Sequence, residues 1–96
     1  MVTFLNEIGR IISQTTGVYA VAPSAVSVKI QRSDGSGFTK TGADVVVDDE
    51  MTGQVHWTSE SGDLSVVGEY MMQVKFEFGA NIIYGPLTSF EVEGVL

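Results

Sequence analysis

Four groups of residues carry side chains that could do chemistry. His56 is the single histidine of a 96-residue chain without cysteine. A catalytic histidine needs a nucleophile within reach and an orienting carboxylate. In Gln54, Val55, His56, Trp57 and Thr58, alternation turns His56 outward and puts Val55 and Trp57 inside. No Gly-x-Ser-x-Gly elbow offers it a serine. Asp44, Asp48, Asp49 and Glu50 offer the oxygen ligands that calcium takes, but without the spacing of an EF-hand loop, and the sequence reads them as a solvated acidic turn. The run from Gly35 to Thr41, GSGFTKT, echoes a phosphate-binding loop. That loop needs glycine immediately before the lysine, whereas Thr39 precedes Lys40, and no strand-to-helix pattern surrounds it. A glycosidase-type carboxylate pair needs a substrate cleft, and nothing in the pattern builds one. The chain is therefore expected to be non-enzymatic, with no catalytic residue, metal or cofactor.

With chemistry set aside, the elements that position side chains carry the information. A chain this short makes one domain and buries roughly two-thirds of its unfolded surface. Lacking cysteine, it forgoes the roughly 2 to 5 kcal/mol that a disulfide gives many small secreted domains, so packing or association must supply stability. Twelve acidic against five basic residues give a net charge of −7, which repels phosphate backbones and anionic membranes. Neither nucleic acid nor a membrane is expected as a partner. The longest charge-free stretch, residues 11–28, contains Ser, Gln, Thr, Gly and Pro and does not read as a spanning helix. Glu7 and Arg10 interrupt the apolar N-terminus and no basic segment precedes it, so synthesis in a cytoplasm without a cleaved signal is expected.

Apolar residues fall in short alternating runs. Val26, Val28 and Ile30 alternate with Ser27, Lys29 and Gln31, and Asp34-Gly35 then signals a hairpin returning through Phe38 to Thr41. Val45 to Val47, Gln54 to Thr58, Asn81 to Tyr84 and Leu87 to Val92 read as further strands. The strongest signal runs from Tyr70, where Tyr70, Met72, Val74, Phe76 and Phe78 alternate with Gln73, Lys75 and Glu77, and only Met71 breaks the pattern. About seven short strands separated by turns predict an all-β, antiparallel sandwich. Residues 1–8 are ambiguous. Val2, Leu5, Ile8 and Ile12 have near-helical spacing, yet Arg10 to Gln14 reads equally as a first strand; a strand closing one sheet, with residues 1–8 as its lead-in, is the favoured reading and an arm that docks on another subunit the alternative. Residues 9–96 form the predicted sandwich.

Leu64, Gly68 and Tyr70 precede and begin the longest strand in the arrangement of a tyrosine corner. In immunoglobulin-like domains such a tyrosine returns its hydroxyl to the backbone a few residues upstream. Leu64 would plug the core edge and Gly68 would let the chain turn. Met72 stands where an antibody domain carries its second cysteine, and Trp57 precedes the corner instead of occupying the antibody tryptophan position.

Several motifs follow one another in order: Ser33-Asp34-Gly35, then Gly53 to Trp57, then Asp63-Leu64 with Gly68 to Tyr70, then Phe90-Glu91-Val92. From about Gly9 to Val92 this order resembles the small immunoglobulin-like module of phage virion proteins. That family includes the N-terminal domain of baseplate upper proteins and short stand-alone proteins encoded among head and neck genes. Ser33 replaces the proline that often precedes Asp-Gly in the family, and the apolar N-terminus is unlike it. The resemblance implies a non-enzymatic virion protein that docks in multiple copies on capsid, neck or tail subunits, with homo-oligomeric contacts among them. Val2, Leu5, Met71, Ile83 and Tyr84 are the expected partner surface. The alternative is a carbohydrate- or host-surface-binding module in which Trp57, Tyr84 or Tyr19 stacks on a sugar. An isolated domain of a cellular surface protein is disfavoured by the absence of signal and disulfide.

Overall fold

A computed structural model of the chain describes residues 3–96. Among them the structure is all-β, with no α-helix and a single 3-10 turn, Gly42–Asp44. Nine strands follow in order: β1 (Thr3–Phe4), β2 (Ile11–Thr15), β3 (Ala25–Gln31), β4 (Gly37–Thr41), β5 (Val45–Asp49), β6 (Gln54–Thr58), β7 (Gly68–Phe78), β8 (Asn81–Tyr84) and β9 (Thr88–Glu93). They form a six-stranded sheet of order β1-β9-β7-β3-β4, with β8 also on β7, and a three-stranded sheet of order β2-β6-β5. The count exceeds seven because two strands, the two-residue β1 and the five-residue β2, precede the seven that alternation marks from β3 onward.

The 11-residue β7 organises the larger sheet. It pairs along one edge with β3 and along the other first with β9 and then with β8. Alternation places Tyr70, Met72, Val74 and Phe76 in the core. Met71 fits the same phase as Gln73 and lies on the outer face, so the pattern is kept. From the smaller sheet Ile12, Val45, Val55 and Trp57 face the same core. Aromatic rings bridge the sheets: Trp57 meets Phe38 edge-on at 5.6 Å and Phe90 at 6.2 Å, and Phe90 meets Tyr70 at 5.2 Å. Centroid separations of this size are the favoured ones for aromatic pairs.

The N-terminus takes neither helical form nor a place beside β2. Thr3 and Phe4 run parallel to Val92 and Glu93 of β9, and Leu5 N–H extends that ladder to Glu93 O at 2.8 Å. A helix is interrupted at once, because Asn6 (φ 62°) and Gly9 (φ 82°) take the left-handed conformation. Asn6 N–H donates to Leu64 O, and Gly9 N–H donates to Ser59 O. The segment thereby crosses from the larger sheet to the smaller one. Leu5 packs on the core rim, and Val2 lies outside the described residues.

Candidate functional site

The corner before β7 is fastened by several side-chain bonds. Tyr70 is fully buried, and its hydroxyl donates to Val66 O at 2.7 Å while accepting from Val66 N–H at 3.2 Å. Leu64 is fully buried beneath the same loop. Gly68 has φ 120°, and a Cβ there would lie 2.7 Å from Ser33 Cβ, so the β3–β4 turn sits directly against it. Ser33 Oγ ties that turn to Val67 O at 2.6 Å. Arg32 stacks 4.6 Å over Phe38 and donates to Asp63 O (3.0 Å), Gly62 O (3.1 Å) and Ser36 Oγ (3.2 Å). Asp34 accepts from Ser36 N–H and Ser36 Oγ, and these hydrogen bonds hold its carboxyl below the usual range.

Lys40 is the unexpected member of this corner. It shares a face with Phe38 and is buried, with its ammonium 2.7 Å from Asp63 Oδ2 and 3.4 Å from Glu60 Oε1. It also lies 5.7 Å from the Phe38 ring and 5.8 Å from that of Trp57. Burial opposes its charge, but hydrogen bonding and attraction to Asp63, with a contribution from Glu60, prevail and raise its pKa above the ordinary lysine value. A sequence reading that treats the lysine only as part of a phosphate-loop motif misses this. The signal was the shared parity of Phe38 and Lys40 on one short strand.

The other candidate groups have structural partners. His56 Nδ1 meets Asp48 Oδ2 at 2.7 Å on the solvent face of the smaller sheet. Asp49 Oδ1 accepts from Met51 N–H (2.9 Å) and Thr52 N–H (3.4 Å), holding the acidic turn. Among the described residues no three metal-ligating side chains converge. Trp57 is 1% exposed, so it cannot serve as the stacking platform for a sugar: its ring fills the space between Phe38 and Phe90. Tyr19 and Tyr84 remain exposed.

The five residues expected to form one partner surface are not brought together. Ile83 and Tyr84 are consecutive on β8 and point to opposite faces, since Ile83 is opposite Phe76 and Tyr84 is opposite Lys75. Tyr84 and Met71 share the outer face of the larger sheet. There Met71 and Leu87 border a groove of about 540 Å³, and Lys29, Lys75, Gln73, Ser27, Thr39 and Tyr84 border a depression of about 270 Å³. Ile83 instead meets Tyr19, Val21, Phe78 and Asn81 around a depression of about 290 Å³ at the end of the hairpin. Tyr19 is 62% and Ile82 52% exposed, so the hairpin presents apolar side chains on both faces of β8. No charged residue occurs from Gly79 through Ser89.

No family model, no curated protein and no solved structure matches the chain. Any functional reading therefore rests on its own residues.

Proposed function

We propose that the chain is an immunoglobulin-like sandwich serving as a non-enzymatic structural protein of a phage virion, made in the host cytoplasm and docked in multiple copies on capsid, neck or tail subunits. The immunoglobulin-like part is supported by strand order. One sheet holds the last strand, the corner strand and the hairpin β3–β4, the other holds β2, β6 and β5, and β1 runs parallel to the last strand. Tyr70 clamps the crossing between sheets at the start of the corner strand, where that family of folds uses such a tyrosine.

The observation that carries the docking role is the apolar hairpin end. A chain of net charge −7 keeps Tyr19, Val21 and Ile83 exposed around one depression, and Ile82 exposed on the other face of β8, on two stretches without charge. Exposed apolar groups gathered in this way mark interaction surfaces. The occupant that fits is an apolar group of a neighbouring virion subunit seated on the depression of Tyr19, Val21 and Ile83, whose lining holds no ionic group to desolvate. The test is to band particles from producing cells and quantify the chain by mass spectrometry. A fixed stoichiometry per particle that is lost in Tyr19→Lys and Ile83→Lys supports the role. Absence of the chain from washed particles overturns it.

One observation favours a second reading, a saccharide-binding module. Tyr84 is 58% exposed at the rim of the depression that holds Lys29, Lys75, Gln73, Ser27 and Thr39. A sugar ring could stack on the phenol while its hydroxyls meet those polar tips. Titration with host-surface glycans, followed by tyrosine fluorescence in wild type and Tyr84→Ala, separates the two readings.

A further inference from the structure

We propose that the open edge of β2 pairs antiparallel with β2 of a second copy, joining two three-stranded sheets into one across a two-fold axis at Ser13. The phase of the ladder carries this. Thr16 N–H donates to Gly53 O (3.2 Å) and Ser59 N–H donates to Arg10 O (2.9 Å), at the two ends of the β2–β6 register. Even-numbered residues of β2 therefore exchange hydrogen bonds with β6, and odd-numbered ones turn their N–H and C=O away. Among the described residues β2 has no strand on its other side, because the N-terminal segment from Thr3 joins the larger sheet instead. Ile11, Ser13 and Thr15 thus hold three donors and three acceptors in a row on an exposed edge, without partners among the described residues.

That row is complementary to itself. With Ser13 opposite its own copy, Ile11 lies opposite Thr15 and Thr15 opposite Ile11, and all three positions are of the kind that exchanges two hydrogen bonds. No other register centred within the strand uses all three. Ile beside Thr is a favourable cross-strand pair of β-branched residues. Charge does not oppose the contact, since residues 11–28 carry none despite the net charge of −7.

The remaining edges are defended or too short. β5 carries Asp48 and Asp49 and a register shift after Val47. β4 carries the inward-pointing charge of Lys40, paired with Glu60 and Asp63. β1 has two residues. β8 has four and is followed at once by Gly85-Pro86. Acidic side chains, inward-pointing charges and bulges are the usual means of blocking edge pairing, and β2 has none of them.

The inference is independent of the virion reading and is tested on the purified full chain. Sedimentation equilibrium should give a concentration-dependent mass approaching twice 10.3 kDa. Ser13→Pro removes an N–H that the monomer leaves facing solvent, so fold and urea midpoint should persist while association weakens at least about tenfold. Ser13→Cys introduces the only thiol of the chain. Opposed residues of a hydrogen-bonded antiparallel pair lie about 5.5 Å apart at Cα, within disulfide reach, so mild oxidation should link two copies, whereas Val46→Cys on β5 should not. Should Ser13→Pro fail to fold, Ser13→Lys, which sets two ammonium groups opposite each other, should give the monomer instead. A mass of 10.3 kDa at every concentration, or a dimer that survives either substitution, overturns the proposal.

Discussion

The two ends of β7 are held in different ways. At its start, side chains do the fastening. Tyr70 reaches Val66, Ser33 reaches Val67, Arg32 reaches Gly62 and Asp63, and Lys40 reaches Asp63. At its far end backbone groups do most of the fastening, helped by short polar side chains such as Ser24, whose Oγ donates to Glu77 O at 2.9 Å and accepts from Gly79 N–H at 3.1 Å. Ala20 N–H meets Glu50 O, Gly17 N–H meets Thr52 O and Ser24 N–H meets Glu77 O, while Tyr19, Val21, Ile82 and Ile83 stay outside. Side chains that are spent on internal bonds are not available to a partner, and those left exposed are. One end is thus specialised for rigidity and the other for contact.

The sharpest way to break this contrast is to place a methyl group at Gly53, where the chain crossing from β2 to β3 leaves no room. A Cβ at Gly53 (φ 67°) would fall 2.2 Å from Thr16 Oγ1 and 2.3 Å from Val18 O. Those atoms belong to the crossing that supports the hairpin end, and Val18 O cannot rotate aside. Gly53→Ala should cost on the order of 4 kcal/mol, adding backbone strain to the clash, and should leave much of the chain unfolded in a urea titration.

Lys40→Met comes next, and it acts at the opposite end. It leaves the largely buried Asp63 carboxylate without its cation, for a loss of about 3 kcal/mol, although Glu60 N–H still donates to that carboxylate at 2.8 Å. Glu60 is well exposed and contributes little. The pH dependence has a definite sign. Because the folded pKa of Lys40 is raised above 10.5, its contribution is fully present below that value and is lost as pH climbs through the higher folded pKa. Wild type should therefore lose stability in strong alkali relative to Lys40→Met, whose urea midpoint should be flatter there.

Much of this architecture was legible in the sequence. Period-two alternation in β7 and β6 placed Trp57, Val74 and Phe76 inside, and Asp34-Gly35 marked the hairpin, where Gly35 takes φ 89°. What was not legible depended on contacts distant in sequence. The parallel pairing of β1 spans only Thr3 and Phe4, too short for any periodicity, and is fixed by β9 at the other end of the chain. Ile83 and Tyr84 fall on opposite faces by the same alternation that holds in β7, so apolar character alone does not put them on one surface. The exposure of the hairpin end was hidden for a different reason: its residues are as apolar as core residues, and only the extent of the smaller sheet decides which are covered.

At the corner, Gly68→Ala tests the same substitution against a softer obstacle than at Gly53. The opposing atoms are Ser33 Cβ and Oγ, at 2.7 and 2.9 Å, side-chain atoms of an exposed residue instead of a backbone carbonyl. With the strain of φ 120° included, a loss of roughly 2 kcal/mol is expected, about half that at Gly53. Tyr70→Phe removes both hydrogen bonds to Val66 while keeping the ring against Phe90, and should cost about 1 to 2 kcal/mol by urea unfolding. An unchanged midpoint and slope would show that the phenol hydroxyl does not fasten the loop.

The smallest expected effect on stability is at the contact end, and its smallness carries the comparison. Tyr19→Ser removes a ring that is mostly in water, so the folded state loses little packing and the urea midpoint should move by less than about 0.5 kcal/mol equivalent. Pairing it with Ile82→Ser, also more than half exposed, should stay near the sum of the two single effects, because Tyr19 borders the depression under β8 whereas Ile82 sits on the other face of that strand. If these rings and branches existed for the fold, their removal would be felt in unfolding. If they exist for a partner, stability should hold while particle association is lost. A double variant as destabilised as Gly68→Ala would mean that the hairpin end is a poorly covered part of the core, and the division of labour along β7 would fail.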